Sequence, residues 1–134
     1  MDENAIKYYR KLCREGFKHT GEIKDPDIFL DTVGEKIRIC SHVSHAYMHI
    51  YIKIREGKVE DIKYLCTCDP TANVVVEILC SILKGKTMKD AEVLTEKDFT
   101  QALGSDGDDE FLKKTRGMIE LLHRGLKRYQ TSVG

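Results

Sequence analysis

Two short stretches of this chain carry side chains that bind iron or zinc. Cys66-Thr67-Cys68 sets two thiols two residues apart. In an extended chain, alternate residues face the same side, so both sulfurs can converge on one ion. Asp69 and Pro70 follow, a helix cap and a first helical residue by type. The amides and dipole of a helix N-terminus stabilise thiolate, the form that ligates metal. The second stretch, Cys40-Ser41-His42-Val43-Ser44-His45, offers one thiolate and two imidazoles. Histidine replaces cysteine on the iron of some clusters, so a mixed set is sound chemistry. The plainer reading makes Cys66 and Cys68 buried thiols at a strand end, with His42, His45 and His49 as solvated strand and loop residues.

The remaining candidates point to packing. Cys80 lies twelve residues along a helix from Cys68, roughly 18 Å at about 1.5 Å per residue, and reads as a core thiol. Cys13, beside Leu12 on a short helix, also reads as packing, and His123 as solvent-facing. Asp69 is read first as a cap and secondly as an oxygen ligand. Gly34, Gly57 and Gly85 form no phosphate-cradling loop, and no Gly-x-Ser-x-Gly elbow is present. Cys66 with His45 would make a nucleophile–base pair, but no oxyanion hole can be assigned to it. The chain is therefore expected not to be an enzyme.

Bulk properties narrow the setting. The 134 residues suit one domain spanning 1–134. The 22 basic and 22 acidic residues cancel, which leaves no field to draw the chain onto nucleic acid or anionic lipid. No apolar run approaches the ~20 residues that span a bilayer. MDENAIKYYRK lacks the apolar core of a secretory signal, and five cysteines without regular spacing do not suit a secreted disulfide scaffold. A cytoplasmic protein is expected, with cysteines serving as thiols, metal ligands or redox groups.

The elements that must position these residues follow from periodicity. A helix is expected over 4–15, then an extended connection over 17–33 punctuated by Gly and Pro. Three strands are expected next: one around Ile37 and Ile39, one over 47–54 and one from about Val59 to Cys66. Arg55-Glu56-Gly57-Lys58 suits a hairpin turn. TANVVVEILCSIL reads as a largely buried helix whose polar face is Glu77, Ser81 and Lys84. Thr87 with Asp90, and Thr95 with Asp98, resemble capping boxes. A last helix spans 109–130, with Phe111, Met118, Leu122, Leu126 and Tyr129 on one face, while Lys113, Lys114, Arg116, Arg124, Lys127 and Arg128 read as a solvated basic face that could also dock a protein partner. The class is α+β, a three-stranded antiparallel sheet with helices packed on one face.

This order, with its local strings, resembles the NifU/IscU family of iron–sulfur cluster scaffolds. HTGEIKDPDIFLDTVGE is similar to the family's N-terminal stretch, MHIYIKIREGKVEDIKY to its second and third strands, and ILKGKTMKDAEVLT to its Lys-Gly-Lys-Thr signature. The resemblance covers about residues 8–130, and from Glu60 to Lys86 it runs without a gap. It implies the NifU/IscU-like fold and a cluster held chiefly on three cysteines, with an aspartate beside the first. Those positions fall here at Ser44, Asp69 and around Lys114, with Ala46 for the aspartate, and the family's Leu-Pro-Pro-Val-Lys string is missing. The usual ligand set therefore does not carry over. In the implied fold the 40–45 loop lies beside the start of the buried helix, which would let Cys40 or His45 meet Cys66 and Cys68. The expected ligands are Cys66, Cys68, Cys40 and His45, followed by His42 and Asp69. The cargo would be an iron–sulfur cluster of unspecified type, with zinc as the alternative occupant. A cysteine desulfurase and cluster-accepting apo-proteins are the implied partners, with oligomer formation left open. The competing reading is a fold relative that has lost cluster assembly and serves as an interaction or regulatory module.

Overall fold

A computed structural model describes residues 1–40 and 45–133. Helix α1 (Glu3–Glu15) starts where the Asp2 carboxylate accepts from the Asn4 and Ala5 amides, and it stops at Gly16. Strand β1 (Ile28–Asp31) leads directly into a one-turn helix, α2 (Thr32–Glu35). Strands β2 (Met48–Arg55) and β3 (Lys58–Cys66) form a hairpin around Glu56-Gly57, and β2 lies between β1 and β3 in an antiparallel sheet. Helix α3 (Pro70–Leu83), the short helices α4 (Met88–Glu92) and α5 (Glu96–Leu103), and the long α6 (Asp109–Val133) complete the chain. Both expected capping interactions are present: the Asp90 carboxylate accepts from the Thr87 amide, and the Asp98 carboxylate from the Thr95 amide.

Alternation on the strands decides which sheet face is covered. Ile28 and Leu30 of β1, Met48, Ile50 and Ile52 of β2, and Val59, Ile62 and Tyr64 of β3 are buried. Helices α3 and α6 pack on that side, α3 against β3 and α6 against β1. The opposite side carries Phe29, His49 and Tyr51, with the Phe29 ring against both of the others. Helix α3 is buried nearly all round, as its apolar run requires, because the sheet, α1, α5 and α6 enclose it.

Helix α6 approaches its neighbours closely through two glycines. A Cβ at Gly125 would lie 3.2 Å from Ile28 Cγ2 and would overlap Leu30, so β1 can sit on the helix only there. A Cβ at Gly117 would meet Ile39 at 3.2 Å and Ile37 at 3.3 Å. This contact corrects the expected first strand. Ile37 and Ile39 are buried, but residues 37–40 belong to no strand, and the first strand lies at 28–31 inside the stretch read as a connection. The alternation at 36–40 reflects packing onto α6 rather than a hydrogen-bonded ladder. At four residues, β1 is too short to stand out between Asp and Pro punctuation. The short α2 was also not anticipated.

Two side chains sit differently from expectation. Glu77, on the expected polar face, is only 2% exposed, because residues of the loop after α1 cover it. Cys13 was assigned to packing and is exposed. Cys80 is buried and His123 exposed, as expected.

Candidate metal centre

Strand β3 ends at Cys66, directly opposite Met48 in the ladder, so Cys66 points to the covered side of the sheet. Thr67 continues the pairing: its amide donates to the Tyr47 carbonyl (3.0 Å), and its hydroxyl accepts from the Tyr47 amide (2.9 Å). With Thr67 held in register, Cys66 and Cys68 fall on the same side, half-buried against the core. Their Cα atoms are 5.3 Å apart, and the two sulfurs are joined as a disulfide. The convergence expected from the Cys-x-Cys spacing is present as geometry. Reduction of this pair yields the two thiols that ligation needs.

Asp69 then starts α3. One carboxylate oxygen, Oδ1, accepts from the Ala72 amide at 2.8 Å, and the other, Oδ2, receives the ammonium of Lys114 at 3.0 Å. Lys114 comes from α6 with a side chain only 12% exposed, and it also donates to the Ile39 carbonyl at 2.7 Å. The ammonium thus bridges a residue adjoining Cys40 and a residue adjoining Cys68. It pins the start of the 40–45 stretch against the start of α3. Asp69 and Lys114 are also two of the positions at which the family resemblance looks for ligands, and here they form an ion pair.

Cys40 lies at this junction as a buried thiol. Burial pushes its pKa up to about 11, the nearby Lys114 ammonium pulls it down, and Asp69 pushes it up. Deprotonation by a bound cation would therefore have to overcome burial. His45 is exposed, and no described hydrogen bond or ion pair ties it to the sulfurs. His42 lies outside the described residues, as does Ser44. His49 belongs to the open sheet face, where Nε2 stands 3.4 Å from Asp31 Oδ1. Among the described residues, no group of three or more His, Cys, Asp or Glu side chains is arranged to hold a metal. The structure brings together Cys66 and Cys68, sets Asp69 beside them, and draws the Cys40 segment close through Lys114.

The residue that sequence reasoning undervalued is Lys114, which was grouped with the solvated basic residues of α6. Its spacing gave a signal: three residues after Phe111 and four before Met118, both fully buried, it falls on the inward stripe. A lysine on such a stripe needs acceptors, and Ile39 and Asp69 supply them.

The model of the NifU-like N terminal domain matches residues 16–134. Two curated relatives from Archaeoglobus fulgidus, the iron–sulfur cluster assembly scaffold proteins IscU 1 and IscU 2, are each 31% identical over 87 residues. Each match covers 65% of this chain and 52% of the relative, so the chain spans about half the length of the curated relatives it matches. Among solved structures, a NifU-like protein (N-terminal) from Brucella abortus superposes with a TM-score of 0.62 at 12% identity, covering 97% of this chain and 94% of that one. A protein from Fervidobacterium islandicum, described as an iron–sulfur cluster assembly scaffold for the SUF system, gives a TM-score of 0.62 at 14% identity, covering 94% and 96%. At these identities the structural likeness speaks to fold alone.

Proposed function

Because the chain belongs to the NifU-like N-terminal domain family, we propose that it is an iron–sulfur cluster assembly scaffold whose cargo sits on the reduced Cys66–Cys68 pair. Cys40 and His45 complete the ligand set, with His42 as a further donor. The chain supplies ligands and turns over no substrate of its own. A cysteine desulfurase donates the sulfur, and apo-proteins take the finished cluster. Among the described residues no helix is long and apolar enough to cross a membrane, and the place of work proposed here is the cytoplasm. The observation that carries this reading is the meeting of two sulfurs at the N-terminus of a buried helix, with the Cys40 segment held beside it. A helix N-terminus favours thiolate, and two thiolates on one strand end form the core of a cluster or zinc site.

A second reading has its own observation. The Asp69–Lys114 ion pair fills two of the positions at which the family's ligands are expected, as a relative that has lost cluster assembly would. Anaerobic reconstitution of the reduced protein with iron and sulfide separates the two. Visible charge-transfer bands that disappear in Cys66→Ser and Cys68→Ser support the scaffold. A colourless protein with stoichiometric zinc points to a zinc-binding variant. Absence of metal under both conditions overturns the scaffold reading. Loss of the bands in a folded Cys80→Ser variant would overturn the ligand assignment.

A further inference from the structure

The Lys114 ammonium is the one cation that touches both segments of the candidate site among the described residues. Its acceptors are the Ile39 carbonyl, one residue before Cys40, and Asp69 Oδ2, one residue after Cys68. The other oxygen of Asp69, Oδ1, accepts from the Ala72 amide that caps α3. At Oδ2, therefore, a metal ion would compete with the ammonium. From this geometry we infer that Lys114 is the resident cation of the site and sets its metal selectivity by keeping the Asp69 carboxylate out of the ligand set. The inference concerns the same site as the proposed function and rests on that reading for its biological meaning.

The chemistry runs in two directions. A carboxylate beside two thiolates makes a good site for a bare divalent cation such as zinc. With Lys114 in place, that cation meets a competing ammonium at the carboxylate oxygen it would use. A thiolate-bound iron–sulfide cluster carries net negative charge, and the same ammonium attracts it. Lys114 thus biases the site away from single divalent ions and towards anionic, sulfur-held cargo. The lysine stem is long enough to snorkel, but the bond to the Ile39 carbonyl holds the ammonium at the site.

The test uses zinc alone, competed against a chromophoric chelator, on the reduced full chain. Lys114→Met should bind zinc about tenfold more tightly than the parent protein. The gain should disappear when Asp69→Asn is added, and Lys114→Arg should behave as the parent does. Asp69→Asn by itself should leave zinc affinity unchanged, since asparagine still caps the helix and the carboxylate is not a ligand while Lys114 holds it. Circular dichroism establishes that each variant is folded. Unchanged, weakened or absent zinc binding in folded Lys114→Met overturns the inference, and so does a gain that survives Asp69→Asn. If Lys114→Met does not fold, a tenfold loss in Asp69→Asn alone overturns it. Zinc competition needs no cluster, so failed reconstitution with a normal zinc shift removes the scaffold reading and leaves the selectivity role standing. Normal reconstitution without the shift does the reverse.

Discussion

Two polar pairs anchor α3, and they differ in how open they are to solvent. At the first turn, Asp69 is 26% exposed and meets Lys114 beside the sulfur pair. Two turns further on, Glu77 is 2% exposed and stands 3.3 Å from His19 Nδ1. In the second pair the carboxyl group is sealed, while His19 is 16% exposed. The His19 carbonyl accepts from the Tyr64 amide, the Gly21 amide donates to the Tyr64 carbonyl, and the Tyr64 hydroxyl accepts from Asn73. Burial raises the pKa of Glu77 and the neighbouring His19 lowers it; Tyr8, Tyr64 and Cys80 feel its charge in turn. Similar chemistry thus serves two ends. Where the partners are sealed, the pair latches the loop after α1 onto β3 and α3. Where one acceptor opens towards the sulfur pair, the role inferred for the pair is that of an occupant a metal ion can displace.

The largest effect should come from breaking the sealed pair. His19→Ala leaves a carboxyl group with 2% exposure uncompensated and is expected to cost about 3 kcal/mol, read from urea unfolding at neutral pH. Adding Glu77→Gln should recover part of that loss, since the orphaned charge goes with it. Lys114→Met should cost less, about 1.5 kcal/mol, because water reaches the quarter-exposed Asp69 and screens it. Equal costs for His19→Ala and Lys114→Met would erase the distinction between latch and occupant.

The pH dependence sharpens the same contrast. Glu77 holds its proton more tightly in the folded protein than in the unfolded chain. At pH values below the ordinary carboxylate range both states are protonated, and Glu77 contributes no slope. As pH rises through that range, the unfolded chain ionises first, so stability falls until the raised folded value is passed. Glu77→Gln should flatten this fall, as measured by unfolding midpoints across mildly acidic pH. A slope that survives Glu77→Gln would assign it to other carboxylates.

How far the sequence revealed these features depended on how local the cause was. The Cys66–Cys68 convergence follows from two-residue periodicity, the α3 start from Asp69-Pro70, and the capping boxes from four-residue strings. The hairpin showed itself through eight residues of alternation in β2. Features fixed by distant partners were harder to read. Strand β1 exists because β2 pairs with it and Gly125 lets α6 approach, and neither reason lies within residues 28–31. Glu77 looked solvated because its cover, His19, lies 58 residues earlier. Lys114 looked like one more surface lysine until its acceptors, 75 and 45 residues away, came into place. The family resemblance supplied the long-range frame, but its ligand positions describe relatives whose side chains differ from these.

A third kind of polar group completes the series. Thr115, next to Lys114 on α6, is fully buried, and its hydroxyl has no hydrogen-bond partner among the described residues. Unlike Glu77 or Asp69, it then bears the cost of desolvation without a partner to offset it. Valine has nearly the same shape and no hydroxyl, so Thr115→Val should stabilise the fold by about 1 kcal/mol. This is the smallest of the effects and opposite in sign to the ion-pair variants. Because the change adds no charge and leaves Lys114 in place, zinc affinity should stay where it was. Urea unfolding and chelator competition on the same preparation measure both quantities. A loss of stability would mean that this hydroxyl makes a hydrogen bond in solution, and it would then belong with the paired groups.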